Sequence, residues 1–196
     1  MPGYAYGLLA AGWLLWLAPF VLIKRNTQTP ERVDRRARWG VMLELLAYSL
    51  LWQNRFWTRP PEGWRNLLSV FFFLFAGILS WTGARALGRQ WRIDAGLNPD
   101  HKLVRSGPYR VVRHPIYTSM LCVLLGTGFV LTPLPVLIVS IVVFLLGTEI
   151  RVRIEDRLLA SHFGDEFRKY QTTVPSYIPF LKHSRPTTAP GALEGP

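Results

Sequence analysis

The stretch Gly3 to Ile23 reads GYAYGLLAAGWLLWLAPFVLI and carries no charge. As a helix it is long enough to cross a hydrocarbon core about 30 Å thick. No basic region precedes it and no small-residue cleavage site follows it, so it reads as a span and not as a signal peptide. Four further apolar stretches lie along the chain: Trp39 to Trp52 with one acid, Glu44; Leu67 to Ala84; Ile116 to Thr132; and Leu134 to Thr148. The last two are separated only by Thr132-Pro133-Leu134-Pro135, which reads as the turn of a hairpin. Several fall short of the usual span length of about 20 residues, which a close-packed pair in a thinned bilayer tolerates. Core helices of a soluble all-helical protein are the alternative, but those keep a polar face every third or fourth residue. These do not. The expected fold is an all-α integral membrane bundle of about five transmembrane helices. It forms one domain over residues 1–182, with a disordered tail at 183–196 rich in Pro, Thr, Gly and Ala.

Charge supports the count. The 196 residues carry a net charge of +11, and the mean hydropathy of +0.17 conceals a segregation of basic runs from apolar ones. Six Lys/Arg lie between Lys24 and Arg38, seven between Arg85 and Arg113, and seven from Arg151 onward, against three (Arg55, Arg59, Arg65) in the second loop. With five spans, all the strongly basic segments fall on one side. The positive-inside rule then predicts the N-terminus outside and the C-terminus in the cytosol. An even number of spans would scramble this sorting. Because the charges flank apolar spans, they argue against a nucleic-acid partner and for the lipid bilayer. The single cysteine, Cys122, and four His without HExxH-type spacing leave little support for a metal site, so no metal is expected. The Arg-rich composition suggests a prokaryotic cell membrane.

Two segments stand apart from a generic bundle. His101 to Tyr117 (HKLVRSGPYRVVRHPIY) runs directly into the fourth span. Gly107 and Pro108 favour a turn, and Pro115 suits a first helical turn, where its missing N–H costs nothing. His114 is thereby placed at a helix cap, where unsatisfied N–H groups favour an anionic ligand. Tyr109, His114 and Tyr117 add hydrogen-bonding tips on aromatic bodies. An interfacial aromatic belt with basic anchors is the other reading of the same residues. The second segment is Glu149 to Leu159 (EIRVRIEDRLL), continuing to Phe163-Gly164. The absence of breakers predicts one helix from about Pro135 to Phe163, roughly 40 Å long, with Gly164 as its C-terminal cap. Arg151 and Glu155 are four apart and share a face where that helix leaves the bilayer. A solvated, salt-bridge-laced face is the alternative there.

Together these segments resemble the isoprenylcysteine carboxyl methyltransferase family. The likeness lies in the order His-x-Leu-Val, Ser-Gly-Pro-Tyr, Arg-His-Pro-x-Tyr, an apolar hairpin, Arg-x-x-x-Glu and Phe-Gly, over roughly His101 to Pro179. The resemblance implies a membrane bundle with a cytosolic cofactor pocket at about 89–182 instead of a Rossmann domain, in accord with the lack of a Gly-rich strand-to-helix fingerprint. It implies S-adenosyl-L-methionine as cofactor, with S-adenosyl-L-homocysteine as product. It implies a cofactor site of His101, Lys102, Leu103, Val104, Tyr109, His114, Pro115, Ile116, Tyr117 and Glu155. Arg151 would receive the substrate carboxylate. Two positions depart from the family: Asp156 stands where a second Glu is frequent, and Phe167 where Tyr is frequent.

The activity so implied is carboxyl O-methylation of a lipophilic carboxylate such as a prenylcysteine-type substrate. A phospholipid-amine N-methyltransferase, a membrane reductase and a non-catalytic scaffold of similar architecture are the alternatives. Glu44, an acid inside a span, is a functional candidate by default. Its depth of only about 7 Å suggests instead that it snorkels or pairs with Arg35, Arg36 and Arg38.

Overall fold

The computed structural model describes residues 2–23, 32–53, 62–88, 96–97 and 102–179. Each apolar stretch forms a helix: α1 (Gly3–Leu22), α2 (Ala37–Leu51), α3 (Gly63–Leu87), α4 (Pro115–Leu131) and α5 (Leu134–Phe163), followed by the short α6 (Asp165–Thr173). Helices α1, α3 and α5 are long and apolar enough to cross a membrane, and α4 is a shorter apolar helix. Helix α2 has 15 residues and carries Glu44. The breaks fall where backbone chemistry requires them. Pro133 caps the start of α5 after the hairpin turn. Gly164 ends α5 at φ 54°, a conformation that a side chain disfavours, and its N–H bonds the Ala160 carbonyl at 3.0 Å.

Helix α4 is the centre of the bundle. It packs against α3, α5, α1 and, more lightly, α2, while α2 lies mainly along α5 and α1 along α3. Polar side chains tie these contacts from within. Trp13 and Trp16 on α1 donate to Thr127 Oγ1 (3.2 Å) and Ser119 Oγ (2.9 Å) on α4. Tyr48 on α2 donates to the Met120 carbonyl (2.7 Å), and Ser69 on α3 to that of Gly126 (2.7 Å). In hydrocarbon such bonds and close backbone approach replace the hydrophobic drive between helices. Outward-facing Val21, Leu67, Ile78 and Ile138 offer apolar surface to lipid.

One pairing places the loops. Arg32–Val33 and Gly96–Leu97 form a two-residue antiparallel ladder, Arg32 opposite Leu97. It joins the segment after α1 to the segment after α3, so these two basic loops lie at the same end of the bundle. The expected tail at 183–196 and most of the segment 89–101 lie outside the described residues.

Candidate functional site

The site is built where α4 begins and α5 emerges, the end of the bundle that carries the basic loops. Gly107, at φ 60°, opens the one-turn 3-10 helix Gly107–Arg110, and Pro115 is the first residue of α4 with His114 at its cap. The chain after α6 returns across this cap. Arg113 N–H donates to the Pro175 carbonyl (2.9 Å), His114 N–H to that of Ser176 (2.8 Å), and Thr118 Oγ1 to that of Tyr177 (2.6 Å). Residues 175–177 therefore strap the start of α4 onto α5.

Beneath the strap sits a buried ionic group. Asp156 Oδ1 lies 2.9 Å from His114 Nε2, and its Oδ2 accepts from Arg113 Nη2 at 2.8 Å and Gln171 Nε2 at 3.1 Å. Arg113 also donates to Ser176 Oγ (2.8 Å) and to the carbonyls of Gln171 (3.1 Å) and Val174. The other ring nitrogen of His114, Nδ1, is 3.4 Å from Glu155 Oε2. Burial alone would lower the basicity of His114, but hydrogen bonds and charge from Asp156 and Glu155 outweigh it and raise its pKa to about 9. The imidazole is thus a cation with an acid on each side.

The two acids differ in access. The Glu155 side chain is 24% exposed and that of Asp156 7%. Glu155 accepts the hydroxyl of Tyr117 on Oε1. It can therefore present a carboxylate to a bound cation, whereas Asp156 is occupied inside the fold. The shorter acid at 156 suits that hub, because both its oxygens already meet neighbours.

A second ionic group adjoins the first. Arg151 is buried, with its Cζ 4.7 Å from the centre of the Tyr117 ring. Its Nη1 donates to Glu44 Oε2 at 2.7 Å, and Thr148 Oγ1 donates to Glu44 Oε1 at 3.1 Å. This corrects the expectation for Glu44. The acid neither snorkels nor meets Arg35, Arg36 or Arg38; it is 3% exposed and faces α5. The reason is the close crossing of α2 and α5. A Cβ on Gly147 would come within 2.6 Å of the Gly40 carbonyl oxygen, so the two backbones lie against each other and the next turn of α2 delivers Glu44 to Arg151.

Of the residues expected at the site, His114, Tyr117, Arg151 and Glu155 come together. Pro115 and Ile116 form the first turn of α4, but Ile116 packs toward Phe20 and Ala84 on α1 and α3. Leu103 packs on Ala160, Phe167 and Tyr170, about two and a half turns beyond Arg151 along α5. Val104 is half-buried and Lys102 is exposed, while His101 lies outside the described residues. Tyr109 is buried, and its carbonyl accepts the Tyr170 hydroxyl at 2.5 Å. Phe167 is fully buried in that apolar cluster, where a tyrosine hydroxyl would need a partner. Among the described residues, no group of three or more His, Cys, Asp or Glu is arranged to hold a metal ion.

Sequence reasoning missed Arg113, Asp156, Gln171 and Ser176, and the pairing of Glu44 with Arg151. The first two adjoin His114 and Glu155 in sequence. An acid and an arginine both bordering apolar runs were themselves the signal for the last, since a buried charge requires an opposite one.

The fold and site define a multi-pass helical membrane protein with a polar site at one end of its bundle. Residues 68–161 match the model of the isoprenylcysteine carboxyl methyltransferase (ICMT) family. The chain is 33% identical over 144 residues to the cobalt-zinc-cadmium resistance protein CzcN of Cupriavidus metallidurans, an alignment covering 73% of this chain and 62% of that protein. It is 30% identical over 121 residues to protein-S-isoprenylcysteine O-methyltransferase B of Arabidopsis thaliana, covering 60% and 61%. It is 38% identical over 85 residues to protein-S-isoprenylcysteine O-methyltransferase of Schizosaccharomyces pombe, covering 43% and 36%. The chain thus spans about three fifths of the length of the first two relatives.

Proposed function

We infer that this protein is an S-adenosylmethionine-dependent carboxyl O-methyltransferase acting on a lipophilic carboxylate of the prenylcysteine type. The observation that carries the reading is the meeting of His114, Tyr117, Arg151 and Glu155 within the segment shared with the family. Two relatives bear the name of that activity. The cofactor, when bound, supplies an electrophilic methyl group. Glu155, partly exposed, suits its ammonium, and the N–H groups at the start of α4 suit its carboxylate. Lys102 to Val104 and Tyr109 would complete the pocket wall.

Arg151 orients the acceptor carboxylate. That group is ionised at neutral pH, with a reference pKa of roughly 4, so no general base is needed. Rate comes from holding acceptor and donor in line at attack distance. The bundle around Arg151 keeps water from the nucleophile. The pocket faces the cytosol, with the N-terminus outside, in a prokaryotic cell membrane. Charge sorting and the ladder joining the first and third loops support that orientation.

Membranes carrying the protein, given tritiated cofactor and a prenylcysteine analogue, should yield label that mild base releases as methanol. No transfer to any lipophilic acid would refute this reading. Arg151→Ala should abolish turnover while cofactor affinity stays within a few-fold; Glu155→Ala should weaken cofactor binding first. Loss of cofactor binding in the Arg151 variant would show its role to be wrong.

A second reading, N-methylation of a phospholipid amine, draws on the Glu44–Arg151 pair, because Arg151 already has a counter-ion. Label stable to base would favour it.

A further inference from the structure

The Glu44–Arg151 pair has a property that the methyltransferase reading leaves unused. Glu44 belongs to α2, outside the residues 68–161 shared with the family, yet its carboxylate sits on the guanidinium assigned to the acceptor. Both charges are buried, Arg151 9% and Glu44 3% exposed. Thr148 fixes the second oxygen of Glu44, and the Tyr117 ring lies over the guanidinium. Glu44 thus stands as an internal carboxylate where an external one is expected.

We propose that Glu44 sets the affinity threshold of the acceptor site: it competes with the acceptor's carboxylate for Arg151, so that only acids bringing a long apolar tail bind well. The inference rests on the carboxyl methyltransferase reading and names the acceptor class within it. Two carboxylates sharing one guanidinium in a low-dielectric interior repel each other, and that repulsion opposes every acid equally. A tail that leaves water for the apolar bundle or the bilayer offsets the repulsion in proportion to its buried area. A short acid has nothing to offset it. Glu44 therefore sets an affinity threshold: it leaves the ratio between two acids unchanged but puts a short acid below useful binding, while a lipophilic one still clears it.

The test compares two acids with the same headgroup, N-acetyl-S-farnesylcysteine and N-acetyl-S-methylcysteine, as methyl acceptors for the full chain in membranes. Glu44→Gln keeps the size and a hydrogen-bond acceptor but removes the charge. It should lower KM for both acids by about tenfold, the worth of one charge-assisted contact, with kcat within about twofold. The tail-less acid, poor for the wild type, should become a measurable acceptor. A purely structural role would lower kcat or folded yield without improving KM. Glu44→Asp, which keeps the charge but shortens its reach, should lower KM by a smaller factor and decides the matter if the Gln variant does not fold. An unchanged or raised KM in the folded variants overturns the proposal while leaving the methyltransferase reading intact. A wild type that methylates neither acid overturns both.

Discussion

His114 shows most directly how single residues are tuned. Its ring is buried, and an isolated buried imidazole would lose its proton; Asp156 at 2.9 Å and Glu155 at 3.4 Å reverse that and hold its pKa at about 9. A pKa raised on folding means that the bound proton stabilises the native state. That stabilisation is complete below the unfolded value near 6.5 and is lost as pH rises through about 9. Thermal unfolding in detergent should therefore show Tm falling between these limits, and His114→Gln should flatten the decline. An equal slope in both proteins would contradict the assignment. The same residue marks the limit of what can be read from sequence. Pro115 places His114 at a helix cap from local chemistry alone. Its partner Asp156 is 42 positions away, and no local rule joins them.

Helix α5 joins the apolar bundle to the polar site, and its seam with α2 depends on close backbone approach. At Gly147 an added Cβ would lie 2.6 Å from the Gly40 carbonyl oxygen, an atom that cannot move aside as a side chain can. Gly147→Ala should destabilise the bundle by about 1–3 kcal/mol, the usual cost of overpacking, and would also shift Glu44 from Arg151. A melting temperature equal to that of the wild type would refute the close crossing. Element bounds were largely legible: Pro115, Pro133 and Gly164 punctuate α4 and α5 by rules that need no tertiary partner. The direction in which Glu44 points was not. Depth along α2 suggested the nearby arginines of the preceding loop, but the helix face decides, and that is set by packing on α5. The strap at 175–177 was likewise hidden, because its bonds to α4 run through backbone groups that carry no sequence signal.

At the scale of the whole molecule, charge sorting needed no tertiary knowledge, since it reflects how loops partition between two aqueous phases. The pairing of Arg32–Val33 with Gly96–Leu97 is consistent with it. The orientation can be checked with cysteines introduced at Asp165, exposed at the start of α6, and at Leu134, exposed at the start of α5 beside the hairpin turn, on a background in which native Cys122 is buried. A membrane-impermeant maleimide added to intact cells should label position 134 and not position 165; the opposite pattern would invert the topology. The central claim is that the end of the bundle around His114, Glu155 and Arg151 holds a methyl-donor cofactor. Calorimetric titration of the detergent-solubilised protein with S-adenosylhomocysteine tests it most directly. Saturable one-to-one binding, weakened by Glu155→Ala and retained in Arg151→Ala, is the predicted result; absence of binding to the folded wild type would contradict it.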